Sequence, residues 1–188
     1  VNFTATGTAG PATQMAINAG DGQSATVGTA VAIDPAVLVR DVFNNPVVGV
    51  SVTFAVTGGG GAVVGSPAVT NASGVATVTS WTLGGTAGAN SLQATSGALT
   101  PVNFTATGTA GSATQMAINA GNGQSATVGT AVAIDPSVIV RDASNNPVAG
   151  VSVTFAVTGG GGAVVGSPAV TNASGIATIT SWTLGNTA

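Results

Sequence analysis

The sequence predicts an all-β protein made of two tandem antiparallel β-sandwiches, preceded by an orphan strand of the type that closes a sandwich. Three observations support this prediction. The chain repeats itself after 101 positions, apolar residues alternate with polar ones over short runs, and turn-forming residues separate those runs. Such alternation is typical of strands that bury one face. No segment keeps a helical period over a useful length.

The repeat covers nearly all of the 188 residues. Residues 1–87 align with residues 102–188 with ten differences, most of them as mild as Leu38 to Ile139. This repeat has the length of a whole sandwich domain and exceeds the roughly 20 to 50 residues of solenoid units. We therefore expect a closing strand over 1–9 that belongs to a preceding or neighbouring domain, a first domain over 10–110, and a second domain over 111–188 that lacks its last strands.

Within one repeat, the alternation predicts about seven strands. In residues 50–57, Val and Phe occupy every second position, and residues 102–107 alternate Val, Phe and Ala with Asn and Thr. The residues between the predicted strands favour turns. These turn signals are Asp21-Gly22, Asn44-Asn45-Pro46, Gly58 to Gly61, Ser66-Pro67, Asn71 to Gly74 and Ser96-Gly97.

Three stretches carry a resemblance to a known family: VRDVFNNPVVGVSVTFAVTGGGG, TNASGVATVTSWTLGGTAGANSLQATSG and PVNFTATG. They resemble the bacterial Ig-like domains of the invasin/intimin type (group 1), in which similar turns lead into a Gly-Val-x-Val-x-Phe strand and a Val-x-Phe-Thr-Ala strand closes the domain. Asn44 and Asn145 stand where the family often has Gly, and Asn also tolerates a left-handed turn conformation. The resemblance implies Ig-like beads of a rod-like, extracellular or cell-surface protein, and it implies no enzyme.

The composition argues against most catalytic and binding chemistry. The chain has no Cys, no His and no Tyr, so it lacks thiolate ligands and the commonest general base. Two Arg and no Lys cannot form a surface for nucleic acid. No apolar run approaches the roughly 18 residues of a membrane helix. We expect no enzyme, cofactor, metal, nucleic acid or membrane insertion, and the low net charge of −3 favours association between copies.

The few charged residues allow two interpretations. Asp34, Arg40 and Asp41 recur as Asp135, Arg141 and Asp142. One interpretation is a Ca²⁺ site at a domain junction. The other, which we favour, is an Asp that caps a turn and an Arg that pairs locally on the surface.

Two further motifs favour structural roles. We expect Trp81 and Trp182 to seal a core or a domain junction rather than to form a ligand platform. The glycine runs at 58–61 and 159–162 lack the Lys and the helix start of a phosphate loop, which favours hairpin connections.

The opening segment is the strongest candidate for an assembly site. Residues 1–10 are identical to residues 102–111, the predicted end of the first domain. Val1 and Phe3 are therefore predicted to face the core of another domain. Val42 and Phe43 are further candidates, because the second repeat has Ala143 and Ser144 there, and an exposed apolar loop is a plausible contact. The alternative explanation of this difference, which we favour from sequence alone, is drift between the repeats. The candidate glycosylation sequons are Asn2, Asn71, Asn103 and Asn172.

Two arrangements explain a chain with a closing strand at its start and none at its end. In the first, which we favour slightly, the sequence is a window from a longer array, and residues 1–9 close the preceding domain. This arrangement accounts more easily for the missing penultimate strand, because one donated strand replaces one strand and not two. In the second, separate subunits join head to tail by strand addition, and the contact propagates as a filament. Both predict a structural unit of an extracellular fibre whose partners are copies of itself. The alternatives are the stalk or binding module of a bacterial adhesin and, less favoured, a polysaccharide-binding accessory domain of an enzyme.

Overall fold

The computed structural model describes residues 1–188 and consists of strands and turns. It contains no helix, and hence none that could cross a membrane. The chain divides into two compact units, Val1–Thr109 (unit 1) and Ala110–Ala188 (unit 2).

Unit 1 contains ten strands in three sheets, more than the seven expected, and five of these strands are only two to four residues long. The sheets have the orders β1-β3-β7, β2-β10-β9-β4-β6 and β5-β8. Their pairs are antiparallel except for β2 and β10, which run parallel. The strands are β1 (Gln14–Ala19), β2 (Gln23–Thr26), β3 (Ala36–Arg40), β4 (Ser51–Gly58), β5 (Gly61–Val64), β6 (Ala68–Val69), β7 (Val75–Thr77), β8 (Ser80–Leu83), β9 (Gly88–Thr95) and β10 (Val102–Thr109).

The core of unit 1 lies between these sheets. Alternation along the strands produces it: in β4, Val52 and Phe54 are buried while their neighbours in the sequence are exposed. The same holds for β10, in which Phe104 and Ala106 point inward. The fully buried side chains also include Trp81, and the rings of Phe54 and Phe104 lie 6.2 Å apart.

Unit 2 repeats the fold with fewer strands. Its sheets have the orders β11-β12-β16, β13-β15 and β14-β17. Residues 111–188 contain no counterpart of β9 or β10, so residues 124–127, which match β2, have no closing strand to pair with and form no strand. The strands are β11 (Gln115–Ala120), β12 (Ser137–Arg141), β13 (Ser152–Val153), β14 (Gly162–Val165), β15 (Ala169–Val170), β16 (Ile176–Thr178) and β17 (Ser181–Leu184).

The two cores differ at equivalent positions. Val37, Phe54 and Trp81 are buried in unit 1, whereas their counterparts Val138, Phe155 and Trp182 are only half-buried. The buried hydrophobic cluster of unit 2 shrinks to Val140, Val153, Ala169 and Ala177. Two nearly identical sequences thus form one closed and one open sandwich.

Candidate assembly site

An apolar groove opens in unit 2 where the interior of unit 1 is filled. Its volume is about 490 Å³, whereas packed protein interiors contain few voids larger than a water molecule. In unit 1, the two strands without a counterpart in unit 2 contribute Leu92 of β9 and Phe104 of β10 to the core, and both side chains are fully buried. The principal lining residues of the groove are Ile118, Val138, Phe155, Val157, Ile179 and Trp182.

The closing strand β10 fits unit 1 through pairing on both of its edges. It pairs antiparallel with β9 from Val102 to Gly108, and parallel with β2 from Ala106 to Thr109. At its end, the backbone N–H of Val27 donates to the carbonyl oxygen of Thr109 at 2.9 Å. The strand therefore covers the core and also forms backbone hydrogen bonds with the edges of both neighbouring strands, β9 and β2.

A carboxylate fixes the middle of the closing strand. Asp21 Oδ1 accepts hydrogen bonds from the backbone N–H of Thr105 at 2.7 Å and from its Oγ1 at 3.0 Å. The backbone N–H of Thr105 is the main cause of the lowered pKa of Asp21. The counterpart in unit 2, Asn122, lies at the groove and carries an amide oxygen that can accept the same two bonds. The alternation of apolar residues does not predict this contact, and its one signal in the sequence is that Asp21 and Asn122 are among the ten differences between the repeats.

The opening segment, residues 1–9, repeats the sequence of the closing strand but pairs with nothing. It forms no strand, and all of its residues are exposed. Phe3 is 94% exposed, whereas its counterpart Phe104 is 0% exposed. Val1 is also fully exposed, so the two predicted interface residues of this segment are accessible.

Asp41 anchors the end of the opening segment to unit 1. Its Oδ2 accepts the backbone N–H of Gly10 at 2.9 Å, and its Oδ1 accepts the backbone N–H groups of Phe43 and Asn45. The side-chain amide of Asn45, which also donates to Oδ2, is the main cause of a pKa of about 2 for Asp41, and the backbone donors reinforce it.

Asp142 has the same arrangement in unit 2. It accepts from Gly111, Ser144 and Asn146, and the Asn146 amide is the main cause of its lowered pKa. The turn-capping interpretation therefore describes both carboxylates. No group of three or more acidic side chains is placed to hold a metal ion.

The loop after Asp41 is apolar and exposed. Phe43 is 81% exposed, and Val42 and Val48 are also exposed. The left-handed turn expected at Asn44 is present, with a φ of 66°. Because the Phe43 N–H shares the Asp41 carboxylate with Gly10, this loop lies beside the base of the opening segment.

The four sequons are exposed, but their amide groups differ in their contacts. Asn71 Oδ1 accepts the backbone N–H groups of Ser73 and Val75, and Asn172 has the equivalent bonds. Asn103 accepts a bond from Gln93. Glycosylation of Asn2, Asn71, Asn103 and Asn172 stays a prediction.

The tryptophans and glycine runs occupy structural positions. Trp81 lies in the core, Trp182 lines the groove, and neither indole N–H has a hydrogen-bond partner. Gly61 has a φ of 90°, and a Cβ there would meet the carbonyl oxygen of Thr82. The lack of a side chain at Gly61 permits the close approach of β5 to β8. The expected hairpin connection does not form, because the run 58–61 links β4 to β5, which pair with other strands in different sheets.

Comparison with solved structures reveals similar folds in bacterial adhesins. The chain is similar to FdeC, an Escherichia coli adhesin, with a TM-score of 0.50 and 20% identity over 93% of this chain and 55% of that one. It also matches the D00-D0 domain of intimin, with a TM-score of 0.45 and 17% identity over 92% of this chain and 87% of that one.

A third match is the Yersinia pseudotuberculosis adhesin InvE, with a TM-score of 0.41 and 20% identity over 92% of this chain and 51% of that one. The chain thus spans about half the length of the FdeC and InvE structures. No protein-family model and no curated protein sequence matches it. The likeness to FdeC supports the predicted all-β fold, which the strands of the structure confirm.

Proposed function

We propose that the chain is a structural repeat unit of an extracellular or cell-surface fibre, in which residues 1–9 take the position of β10 in the open unit 2 of a neighbouring copy. One observation carries the proposal: the ten residues that close unit 1 recur, unchanged and exposed, at the start of a chain whose unit 2 has an open groove. The function is mechanical and requires no catalytic group.

Burial of apolar side chains would drive the contact. In the proposed joint, Phe3 takes the place that Phe104 occupies in unit 1, against the counterpart of Phe54, which is Phe155. Moving one Phe side chain from water into a core contributes about 1.5–3 kcal/mol. Val1 adds to this burial, since its counterpart Val102 is half-buried.

Backbone pairing would fix the register of the inserted segment. In unit 1, Ala106 to Thr109 pair in parallel with Gln23 to Thr26. The equivalent joint pairs residues 5–8 of the donor with residues 124–127 of the acceptor, which are without a strand partner in unit 2. Strand addition of this kind combines ladder hydrogen bonds with side-chain pockets.

The geometry of the contact leads to a fibre. The donor surface and the acceptor surface lie on different units, so the contact is heterologous and leaves a free donor and a free acceptor at the ends of each assembly. Such contacts propagate unless the rotation between copies closes a ring. In a longer polypeptide with further repeats, the same segment closes the preceding repeat, and the product is again a row of linked sandwiches.

An adhesin stalk or binding module is the second candidate. The fold likeness to FdeC, an adhesin, favours it. The loops of the two units are nearly identical in sequence, which favours a scaffold, because binding specificity usually resides in variable loops. A receptor captured through one particular loop would favour the second candidate.

Electron microscopy of a Phe3→Asp variant tests the proposal. Phe3 is exposed in the unassembled chain, so we expect the variant to remain folded. It should form no fibres, because insertion would bury the new carboxylate in the groove. Asn2→Asp is the matched control, because the counterpart of Asn2, Asn103, is exposed in the closed unit; this variant should assemble. Fibres formed by the Phe3→Asp variant, or no fibres from the unmodified chain, would overturn the proposal.

A further inference from the structure

We infer that the joint between copies contains a second apolar contact, in which Val42 and Phe43 of the donor copy pack against the Thr127–Val128 turn of the acceptor copy. This inference rests on the proposed function and adds a surface outside the groove. The contact would join the loop after Asp41 in unit 1 of one copy to unit 2 of the next.

The donor side is fixed by the Asp41 carboxylate. Gly10 N donates to Asp41 Oδ2 and Phe43 N donates to Asp41 Oδ1, each at 2.9 Å. One carboxylate therefore holds the base of the opening segment and the backbone of the apolar loop together. The Phe43 side chain is 81% exposed and makes no ring contact within its own unit.

The acceptor side follows from the end of β10. In unit 1, the Val27 N–H donates to the Thr109 carbonyl oxygen. The identical sequence places Thr8 of the donor at the equivalent N–H, which belongs to Val128 of the acceptor. Val128 is 41% exposed in the open unit, so an apolar side chain is available at this turn.

The reach of the chain brings the two sides together. Thr8 and Gly10 are two residues apart, and a fully extended chain covers about 7 Å over that distance. In the proposed register, the turn at Val128 bonds to the first of these residues, and the loop at Phe43 is held beside the second. The donor loop and the acceptor turn therefore lie within reach of each other when the segment is inserted in this register.

The difference between the repeats matches this role. Between the two repeats of one chain, residues 109–111 form a covalent connection. The loop of the second repeat that is equivalent to Val42 and Phe43 carries the smaller residues Ala143 and Ser144. A joint between separate copies must offset the loss of translational and rotational freedom by contacts alone. The larger apolar side chains occur in the unit whose neighbour is a second copy.

The test compares fibre formation by a Val42→Ala/Phe43→Ser variant with that of the unmodified chain. Both side chains are exposed, and the substitutes are those of unit 2, so the variant should fold normally by circular dichroism. We expect the critical concentration for assembly to rise by roughly tenfold or more. The control is Val64→Ala/Val69→Ala, which removes exposed apolar groups elsewhere on unit 1 and should leave assembly unchanged.

A double-mutant cycle with Val128→Ser identifies the acceptor surface. If Phe43 and Val128 are in contact, the combined loss is smaller than the sum of the single losses. Additive effects, an unchanged critical concentration for the Phe43 variant, or an equal loss in the control would overturn the inference. The Phe3→Asp variant separates the two proposals: if it assembles, strand insertion fails, whereas if only the Phe43 loop proves neutral, strand insertion stands and the second contact fails.

Discussion

At the scale of single residues, Asp41 has the clearest structural role. It accepts four N–H donors from Gly10, Phe43 and Asn45, and the same pattern recurs at Asp142. In sequence, this Asp is compatible with a calcium ligand as well as with the turn cap that we favour. The distinction depends on donors from distant parts of the chain, such as Gly10, whose approach is fixed only in the folded unit.

The hydrogen bonds of Asp41 predict a loss of stability in acid. Its pKa falls from the ordinary value of 3.8 to about 2 in the folded chain, so the unfolded chain takes up the proton first. The stabilisation is therefore complete above about pH 5 and is lost as the pH falls from about 4 towards 2. Thermal unfolding followed across this range should show the melting temperature of unit 1 falling.

An Asp41→Asn variant provides the comparison. The Asn side chain has one accepting oxygen where Asp41 has two, so either Gly10 N–H and the Asn45 amide or the N–H groups of Phe43 and Asn45 lose their acceptor. The variant should therefore melt several degrees lower at pH 7 and respond less to acid. Asp34→Asn removes a carboxylate from an exposed position and should leave the melting temperature at pH 7 unchanged. A normal melting temperature for Asp41→Asn would contradict the anchoring role.

At the scale of elements, one sequence occurs in two states. Residues 102–109 form the closing strand β10, and the identical residues 1–8 form no strand. Sequence alternation predicts which side chains face inward, and β4 and β10 follow that prediction. It does not predict the parallel pair of β10 with β2, because edge pairing depends on which strands the fold brings together.

Replacing Phe104 of β10 and its equivalent Phe3 by Ala, one at a time, should affect stability differently, because only Phe104 is buried. Phe104→Ala removes a fully buried ring and should destabilise unit 1 by about 3–5 kcal/mol. Phe3→Ala removes an exposed ring and should leave the unfolding free energy of the unassembled chain unchanged. Denaturant unfolding in dilute, fibre-free solution measures both. Equal losses would mean that the opening segment packs within its own chain.

At the scale of the whole molecule, the two units are nearly alike in sequence and unlike in packing. The repeat and the turn residues predict two sandwiches, and the sequence alignment shows which strands residues 111–188 do not supply. The size of the groove and the half-buried state of Trp182 require coordinates, because they depend on how far unit 2 closes by itself.

Supplying the missing strands to unit 2 should block assembly. Because Ala188 matches Ala87, a copy of residues 88–109 added after Ala188 continues the repeat in register. We expect this extended chain to fill its own groove, to melt at a higher temperature in unit 2 and to form no fibres. The same extension with Asp at the positions matching Leu92 and Phe104 should restore fibre formation. Fibres formed by the first chain would show that assembly does not use the groove.

Disulfide trapping between copies tests strand insertion most directly. The chain has no Cys, so Thr4→Cys combined with Asn122→Cys introduces a single pair, at positions equivalent to the Thr105–Asp21 contact. Oxidation should yield a ladder of covalent oligomers on a non-reducing gel. Thr4→Cys with Asp21→Cys should yield none, because the strand of unit 1 already occupies that site. A ladder in both variants, or in neither, would contradict the insertion of residues 1–9 into unit 2 of a neighbouring copy.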